Sequence, residues 1–334
     1  MADINPTALQ APVREIAASR SPLDHPLRAA PALALLVLLA VLPWVLQASG
    51  QEFYLGLATR ILIFGLAATS LNLILGFGGL VSFGHAAFVG TGAYTVAVLM
   101  QEGVTSAWIA WPAAVAVSAV LAALVGAVSL RTRGVYFIMI TLAFAQMLYY
   151  LVTSLKAYGG EDGLSLMTRS TLAEGVDLGD STVFYLLTLA LFAAAFVLVQ
   201  RLLNARFGHA LQAMRDNEVR MSAIGFKVYR HRLVAFTLAG ALAGLAGVLL
   251  ANQGGFVSPS LLEWHQSGLL MMMVILGGVG HLYGGLVGAA VFLLLEELLS
   301  PYTTHWKFIL GAVLLGVVLL APNGLMSLWR KARA

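Results

Sequence analysis

The chain has 334 residues, of which 60% are hydrophobic and only 10% are charged. Soluble domains carry about 25% charged residues, so this composition excludes a soluble globular protein and indicates an integral membrane protein. The sequence contains no cysteine, which excludes disulfides and cysteine-ligated metal sites, and its net charge of +4 does not suggest a nucleic-acid partner.

The first segment, residues 1–28, is polar and contains three arginines, which predicts a disordered cytoplasmic tail. A signal peptide cleaved near residue 49 is the alternative, disfavoured because the chain re-enters the membrane at once. Residues 29–325 are predicted to form an all-α, polytopic transmembrane helical bundle. Residues 326–334 are predicted to form a basic C-terminal tail. The bundle has about ten spans, at roughly 29–48, 55–75, 80–100, 107–130, 134–155, 182–201, 233–252, 265–280, 284–299 and 307–321.

The eighth and ninth spans are short, with glycines at their junction, so they also fit a broken or re-entrant pair. A resemblance between the glycine-rich stretches 79–94 and 277–292 suggests an internal duplication.

Fifteen of the 19 lysines and arginines fall in alternate loops and the tails, which places both termini and the segment 202–232 in the cytoplasm. The loop 156–181 is rich in acidic residues instead and is predicted to be periplasmic. Eight spans would satisfy this charge pattern as well as ten.

The third span is the least lipid-like, because polar side chains and glycines recur along it from Gly79 to Tyr94. Polar groups cannot all face lipid at low cost, which favours a helix that lines a translocation path. The path residues on this interpretation are Ser82, Gly84, His85, Phe88, Gly92 and Tyr94. The alternative, that the polar groups bond to neighbouring helices and the glycines only permit packing, stays open.

The longest basic segment is 201–232, where seven positive residues stand against two negative ones. Its middle predicts a short helix with Leu211 and Met214 on an apolar stripe, which Gly225 stops just past Ile224. A helix held between two spans, half apolar and half charged, is suited to dock on another protein. The alternative is a topogenic loop that lies on anionic lipid.

No motif in the sequence carries covalent chemistry. The chain lacks a phosphate-binding G-x-x-x-x-G-K-[ST] run, a serine nucleophile elbow and an H-E-x-x-H motif, and its seven histidines are not paired at ligand spacing. We therefore predict no catalytic residue, no metal site and no cofactor, and we do not expect an enzyme. The span charges Arg60, Glu296 and Glu297 lie near outer ends, which argues against a proton relay.

Several motifs resemble the permease subunits of branched-chain amino acid ABC importers. The signature is L-N-L-I-L-G-F-G-G-L-V-S-F-G-H-A-A-F-V-G-T-G-A-Y at 71–94, and R-T-R-G-V-Y-F-I-M-I-T-L-A-F-A-Q-M at 131–147 is similar to the LivM type rather than its LivH partner. Further matches are F-G-H-A-L-Q-A-M-R-D-N-E-V-R-M-S-A-I-G at 207–225, S-P-S-L-L-E-W-H-Q-S at 258–267 and L-G-G-V-G-H-L-Y-G-G-L-V-G-A-A at 276–290. The resemblance covers about 60–325, so 29–325 is expected to be a permease domain.

The resemblance implies a bacterial inner-membrane importer in which this chain pairs with a second, LivH-like permease. Two ATP-binding subunits would bind inside, and a periplasmic amino-acid-binding protein would deliver leucine, isoleucine or valine. The segment 207–225 would be the coupling helix, whose apolar residues fill an ATPase groove; its ATPase-coupling residues are Leu211, Met214, Arg215, Asp216, Asn217, Glu218, Ile224 and Gly225. Importers of urea and short amides have similar permeases, so these substrates are alternatives. An autonomous ion-coupled carrier is the alternative from another class.

Overall fold

The structure is a computed structural model that describes residues 29–48, 50, 52–166, 168–172, 178–302, 305–320 and 324–326. The predictions for the tail 1–28 and for 327–334 lie outside the described residues, as does part of the loop 156–181. The described chain is all-α apart from two short strands. Its helices are α1 (Ala29–Ala48), α2 (Glu52–Asn72), α3 (His85–Gln101), α4 (Ala107–Ser129), α5 (Val135–Ser154), α6 (Ser181–Asn204), α7 (Arg206–Asp216), α8 (Glu218–Ala223), α9 (Val228–Gly254), α10 (Trp264–Gly277), α11 (Gly284–Leu299) and α12 (Trp306–Leu320).

Each of the ten predicted spans has a helix at its place. Five helices are long and apolar enough to cross a membrane by length and composition, namely α2 with the turn that follows it, α4, α5, α6 and α9. Helices α10 and α11 have 14 and 16 residues. At about 1.5 Å per residue they are shorter than a hydrocarbon core of roughly 30 Å. The chain is thus a multi-pass membrane protein, and the number of its spans stays a prediction.

Helix α9 lies at the centre of the bundle and packs against α2, α3 and α4. Its buried positions are mainly alanine and glycine, which let neighbouring backbones approach closely in a lipid environment. Helix α5 lies at the edge of the bundle. Only 17% of its apolar stretch is buried within the chain, compared with 61% of the corresponding stretch of α9. The outer side of α5 is therefore left for lipid or for a partner.

The predicted third span at 80–100 needs correction, because the helix begins only at His85. Helix α2 instead continues into a π-helical turn, Leu73–Phe77, after which the chain is non-helical up to Gly84. This turn packs against the loop between α10 and α11. Asn72 joins the two, because its Nδ2 donates to His281 O at 2.9 Å and its Oδ1 accepts from Gly280 N at 3.0 Å. We call residues 76–84 and 278–281 the glycine junction.

The end of the bundle opposite 202–232 is covered by the described part of the loop 156–180. Strand β1 (Leu164–Ser165) pairs in antiparallel register with strand β2 (Phe256–Val257), just after α9. Trp111 Nε1 donates to Ser170 Oγ at 3.1 Å, and Ser170 N donates to Asn252 Oδ1 at 2.9 Å. The loop is thereby bound to the ends of α4 and α9.

Candidate functional site

Several polar groups at the start of α3 are hydrogen-bonded inside the chain, although His85 Nδ1 has no partner among the described residues. His85 is fully buried, and its Nε2 lies 2.8 Å from Ser70 Oγ on α2. The amide of Ala86, one of the free donors of the first helical turn, donates to Ser267 Oγ at 2.9 Å. Ser82, also buried, accepts a hydrogen bond from the Gly84 amide at 3.2 Å. These contacts correspond to the packing interpretation of the third span.

Three further residues of the predicted path lie at close helix contacts. Phe88 is fully buried and meets Phe236 of α9 edge to face, with ring centroids 5.5 Å apart. Gly92 faces Gly244 of α9 so closely that a Cβ at Gly92 would overlap the Gly244 backbone. A Cβ at Gly84 would lie 2.7 Å from Thr141 O on α5.

The expectation that these side chains line a path stays a prediction, and the structure shows how five of them are packed. Within the described chain Ser82, Gly84, His85, Phe88 and Gly92 are all enclosed by neighbouring helices. Close packing of α3 against α5 and α9 requires the small size of Gly84 and Gly92. Of the six predicted path residues, Tyr94 is the one that lines an open groove of the described chain.

Tyr94 borders an open groove between the C-terminal half of α3, α4 and α5. The groove has a free volume of about 460 Å³, within the range of small-molecule sites, roughly 300–1,000 Å³. Its lining is Thr91, Tyr94, Thr95, Val98, Leu99, Val117, Leu121, Leu148, Val152, Leu155, Tyr158 and Leu262. Tyr94 is 7% exposed, and its hydroxyl has no hydrogen-bond partner among the described residues.

The surface of the groove is almost entirely apolar, although α3 contributes two threonines and a tyrosine to its lining. Thr91 Oγ1 donates to Ala87 O and Thr95 Oγ1 donates to Thr91 O, each at 2.7 Å, so both donors are used within α3. The Tyr94 hydroxyl oxygen is itself buried beside the groove and has no partner among the described residues, and a buried hydroxyl without a partner costs about 1–3 kcal/mol. Such a wall suits a molecule with an aliphatic body and a polar end.

The predicted coupling helix at 207–225 is two helices, which corrects the sequence-based interpretation. Asn217 interrupts it in an extended conformation, with φ −154° and ψ 97°. Its Oδ1 accepts from Arg220 N at 2.9 Å and so caps α8. Helix α8 ends at Ala223, and Gly225 follows with φ +91°, so the predicted stop is at the expected place.

The apolar residues of this segment divide into buried and exposed groups. Leu211 and Met214 are completely buried within the chain, so they are not available to fill a groove of another subunit. The exposed group consists of Val219, Ile224 and Phe226, with exposed fractions of 74%, 64% and 40%. These three residues lie beside basic residues at an aqueous end rather than along a span. We call Val219, Ile224 and Phe226 the coupling patch.

Charged residues of the segment bind it to the rest of the basic end. Glu218 forms ion pairs of 2.9 Å with both Arg133, just before α5, and Arg232, in the first turns of α9. Asp216 is exposed and lies 3.7 Å from the guanidinium of Arg215. The Arg215 side chain extends to the glycine junction, where its Nη1 donates to Gly76 O.

Sequence reasoning missed Asn72, Ser70 and Thr141, which supply these long-range contacts. Each lies in a mainly apolar helix, and no spacing pattern distinguishes it from an ordinary packing residue. Among the described residues, no group of three or more histidine, aspartate or glutamate side chains has the geometry of a metal site.

Comparison with known proteins places this geometry in a family. The family model described as branched-chain amino acid transport system / permease component matches residues 53–319. A high-affinity branched-chain amino acid transport system permease protein, LivM of Salmonella typhimurium, is 29% identical over 321 residues, 89% of this chain and 75% of the relative. LivH of Escherichia coli K12 is 23% identical over 79% of this chain and 91% of its own length. No solved structure gives a significant match.

A further relative extends the range of transported molecules in the comparison. The autoinducer 2 import system permease protein LsrC of Klebsiella pneumoniae is 33% identical over 176 residues, 49% of this chain and 49% of the relative. The family match itself runs from the start of α2 into α12, so it includes the groove, the glycine junction and the coupling patch. The chain therefore belongs to the family of permease components of branched-chain amino acid transport systems, and it is a transport permease of the LivM type.

Proposed function

We propose that this permease imports branched-chain amino acids across the bacterial inner membrane as part of an ATP-binding cassette complex. It pairs with a second, LivH-like permease, two ATP-binding subunits supply energy, and a periplasmic binding protein delivers the substrate. The observation that carries the proposal is the open groove along α3, which has an aliphatic lining and is bordered by Tyr94.

The second permease covers this groove. Helix α5 has little contact with its own chain, so the groove beside it is open on that side. A protein wall on the open side would enclose the groove as a path between two permeases. The aliphatic side chain of a branched-chain amino acid would contact Val98 and Leu121, with its polar end toward Tyr94.

The coupling patch is the proposed contact with an ATP-binding subunit. Apolar side chains at an aqueous end gain free energy when a partner covers them, and buried anchors dominate the energy of such interfaces. Val219, Ile224 and Phe226 replace Leu211 and Met214 as the anchors, while the latter two bind α7 to its own bundle.

Transport by the reconstituted complex tests the path. Val98→Trp places an indole in the groove and is expected to reduce leucine uptake at least about tenfold, while the complex still assembles. Leu198→Trp is the matched control, because Leu198 lies on α6, is 54% exposed and does not line the groove. Equal uptake by both variants would mean that the substrate passes elsewhere.

Substrate and energy source are tested in the same vesicles. Leucine, isoleucine and valine should compete with one another for uptake, and urea and short amides should not. Uptake should stop when ATP is withheld from the side of the ATP-binding subunits. Uptake that persists without ATP and follows an ion gradient would instead establish an autonomous carrier.

A further inference from the structure

Arg215 makes an unusual contact for a residue on a surface helix. Its side chain leaves α7 and lies across both loops of the glycine junction. The guanidinium donates to Gly76 O in the π-helical turn. A Cβ at Gly79 would lie 2.7 Å from Arg215 Cγ, and a Cβ at Gly280 would lie 3.3 Å from Arg215 Nη1. The side chain thus occupies space that exists because both loops carry glycine there.

The junction beneath Arg215 connects four helices. Asn72 at the end of α2 binds the loop of 278–281 through two hydrogen bonds, and that loop joins α10 to α11. The segment 78–84 leads directly into α3. One side chain of α7 therefore contacts the point at which α2, α3, α10 and α11 meet. A π-helical turn at this point is itself typical of functional positions.

An arginine that served only solubility would extend into water. Arg215 is 44% exposed, and its only ion pair within the described residues joins it to the adjacent Asp216 at 3.7 Å, too long for strong binding. The position of the Arg215 side chain is therefore fixed by its hydrogen bond to the carbonyl of Gly76 and by its close contact with Gly79.

We propose that Arg215 is a positioning residue that binds α7 to the glycine junction, so that the two move as one body when the ATP-binding subunits close. This role rests on the proposed function. Without the arginine side chain, α7 would still be held by Leu211 and Met214, but its displacement would reach α3 incompletely. ATP hydrolysis would then continue with less transport per ATP.

The first experiment measures leucine uptake and ATP hydrolysis together in reconstituted complexes. Arg215→Ala is expected to lower leucine uptake per ATP hydrolysed roughly tenfold relative to the wild-type complex. The matched control is Arg220→Ala, an exposed arginine on α8 that does not contact the junction. Arg215→Gln serves as a second variant, with the same expected result, if the alanine variant fails to assemble. An unchanged ratio of uptake to hydrolysis in an assembled Arg215 variant overturns the proposal.

The second experiment replaces the arginine contact by a reversible covalent one. The ideal Cβ of residue 79 lies 3.5 Å from the Cβ of residue 215, within the range of about 3.5–4.5 Å seen in disulfides. Because the chain contains no cysteine, the double variant Gly79→Cys with Arg215→Cys offers one pair. The left-handed φ of Gly79, +69°, makes the cysteine there mildly strained.

The reduced double variant should behave like Arg215→Ala, and oxidation should raise uptake per ATP at least about fivefold, since the disulfide restores the connection. Arg215→Cys alone, which has no cysteine partner, should not respond to oxidation. No recovery on oxidation overturns the proposal. If the wild-type complex shows no ATP-dependent uptake of any tested amino acid, the proposed function fails instead, so the two failures are distinguishable.

Discussion

Substitution of Gly92 distinguishes a packing role from a path role for the middle of α3. A Cβ at this position would lie 2.7 Å from Gly244 Cα and 2.8 Å from Gly244 C, and it would overlap Gly244 O. All three atoms belong to the backbone of α9, so no side-chain rotation relieves the contact. We therefore expect Gly92→Ala to force α3 and α9 apart.

The magnitude follows from two opposing effects. Alanine in place of glycine inside a helix gains about 0.5–1 kcal/mol, whereas overpacking of a close contact costs about 1–3 kcal/mol. The contact is with backbone and lies beside the central helix, so the upper part of the overpacking range applies. The net loss of stability should be about 2 kcal/mol for Gly92→Ala and more for Gly92→Leu.

The assay is thermal unfolding of the purified complex in detergent, with the yield of assembled complex as a second measure. Gly92→Ala should lower the unfolding midpoint by roughly 5 °C, using about 2–4 °C per kcal/mol. Gly268→Ala in α10 is the control, because a Cβ there meets no atom within 4 Å and only the helix propensity changes. Normal assembly and an unchanged midpoint for Gly92→Leu would refute the reasoning.

Three further predictions concern topology, docking and the basic end. A cysteine at the exposed position Glu161 should be labelled only from the periplasmic side and one at Arg220 only from the cytoplasmic side, and the reverse pattern would invert the orientation. Ile224→Asp should weaken co-purification of the ATP-binding subunits by about 2 kcal/mol, roughly 30-fold, while retention with the wild-type yield would exclude the coupling patch. Glu218→Gln should lower stability by about 1–3 kcal/mol, read as a lower thermal midpoint, because Arg232 is only 15% exposed and loses the negative charge that pairs with its guanidinium.

The helical segments could be predicted from sequence because long apolar runs leave the backbone one low-cost conformation in lipid. The prediction was less accurate where backbone N–H and C=O groups form their hydrogen bonds outside a regular helix. The third span starts late because 78–84 has its polar atoms satisfied by α2, α5 and its own turn, as in the hydrogen bond from Phe83 N to Thr141 Oγ1 at 3.3 Å. The break at Asn217 did have a local signal, since asparagine followed by glutamate favours the start of a helix.

The site was less predictable than the fold. Polar residues in a membrane segment indicate that hydrogen bonds are made, but they do not indicate with which helix. Ser70 and His85 are 15 positions apart, whereas Asn72 and Gly280 are 208 apart. The amphipathic stripe of α7 was correctly located, yet Leu211 and Met214 face the chain itself, because burial against the bundle and burial against a partner have the same apolar pattern.

Helix α3 connects the two regions that the proposals describe. Its N-terminal approach, 78–84, is part of the glycine junction that Arg215 contacts, and its C-terminal half carries the groove wall with Tyr94. A helix is stiff along its axis, so a displacement applied at the junction reaches Tyr94 without a separate element between them. Small and polar residues are therefore needed along the whole of this segment for different reasons. At the junction they admit the arginine, in the middle they permit α9 to approach, and at the groove they would face the transported molecule under the proposed function.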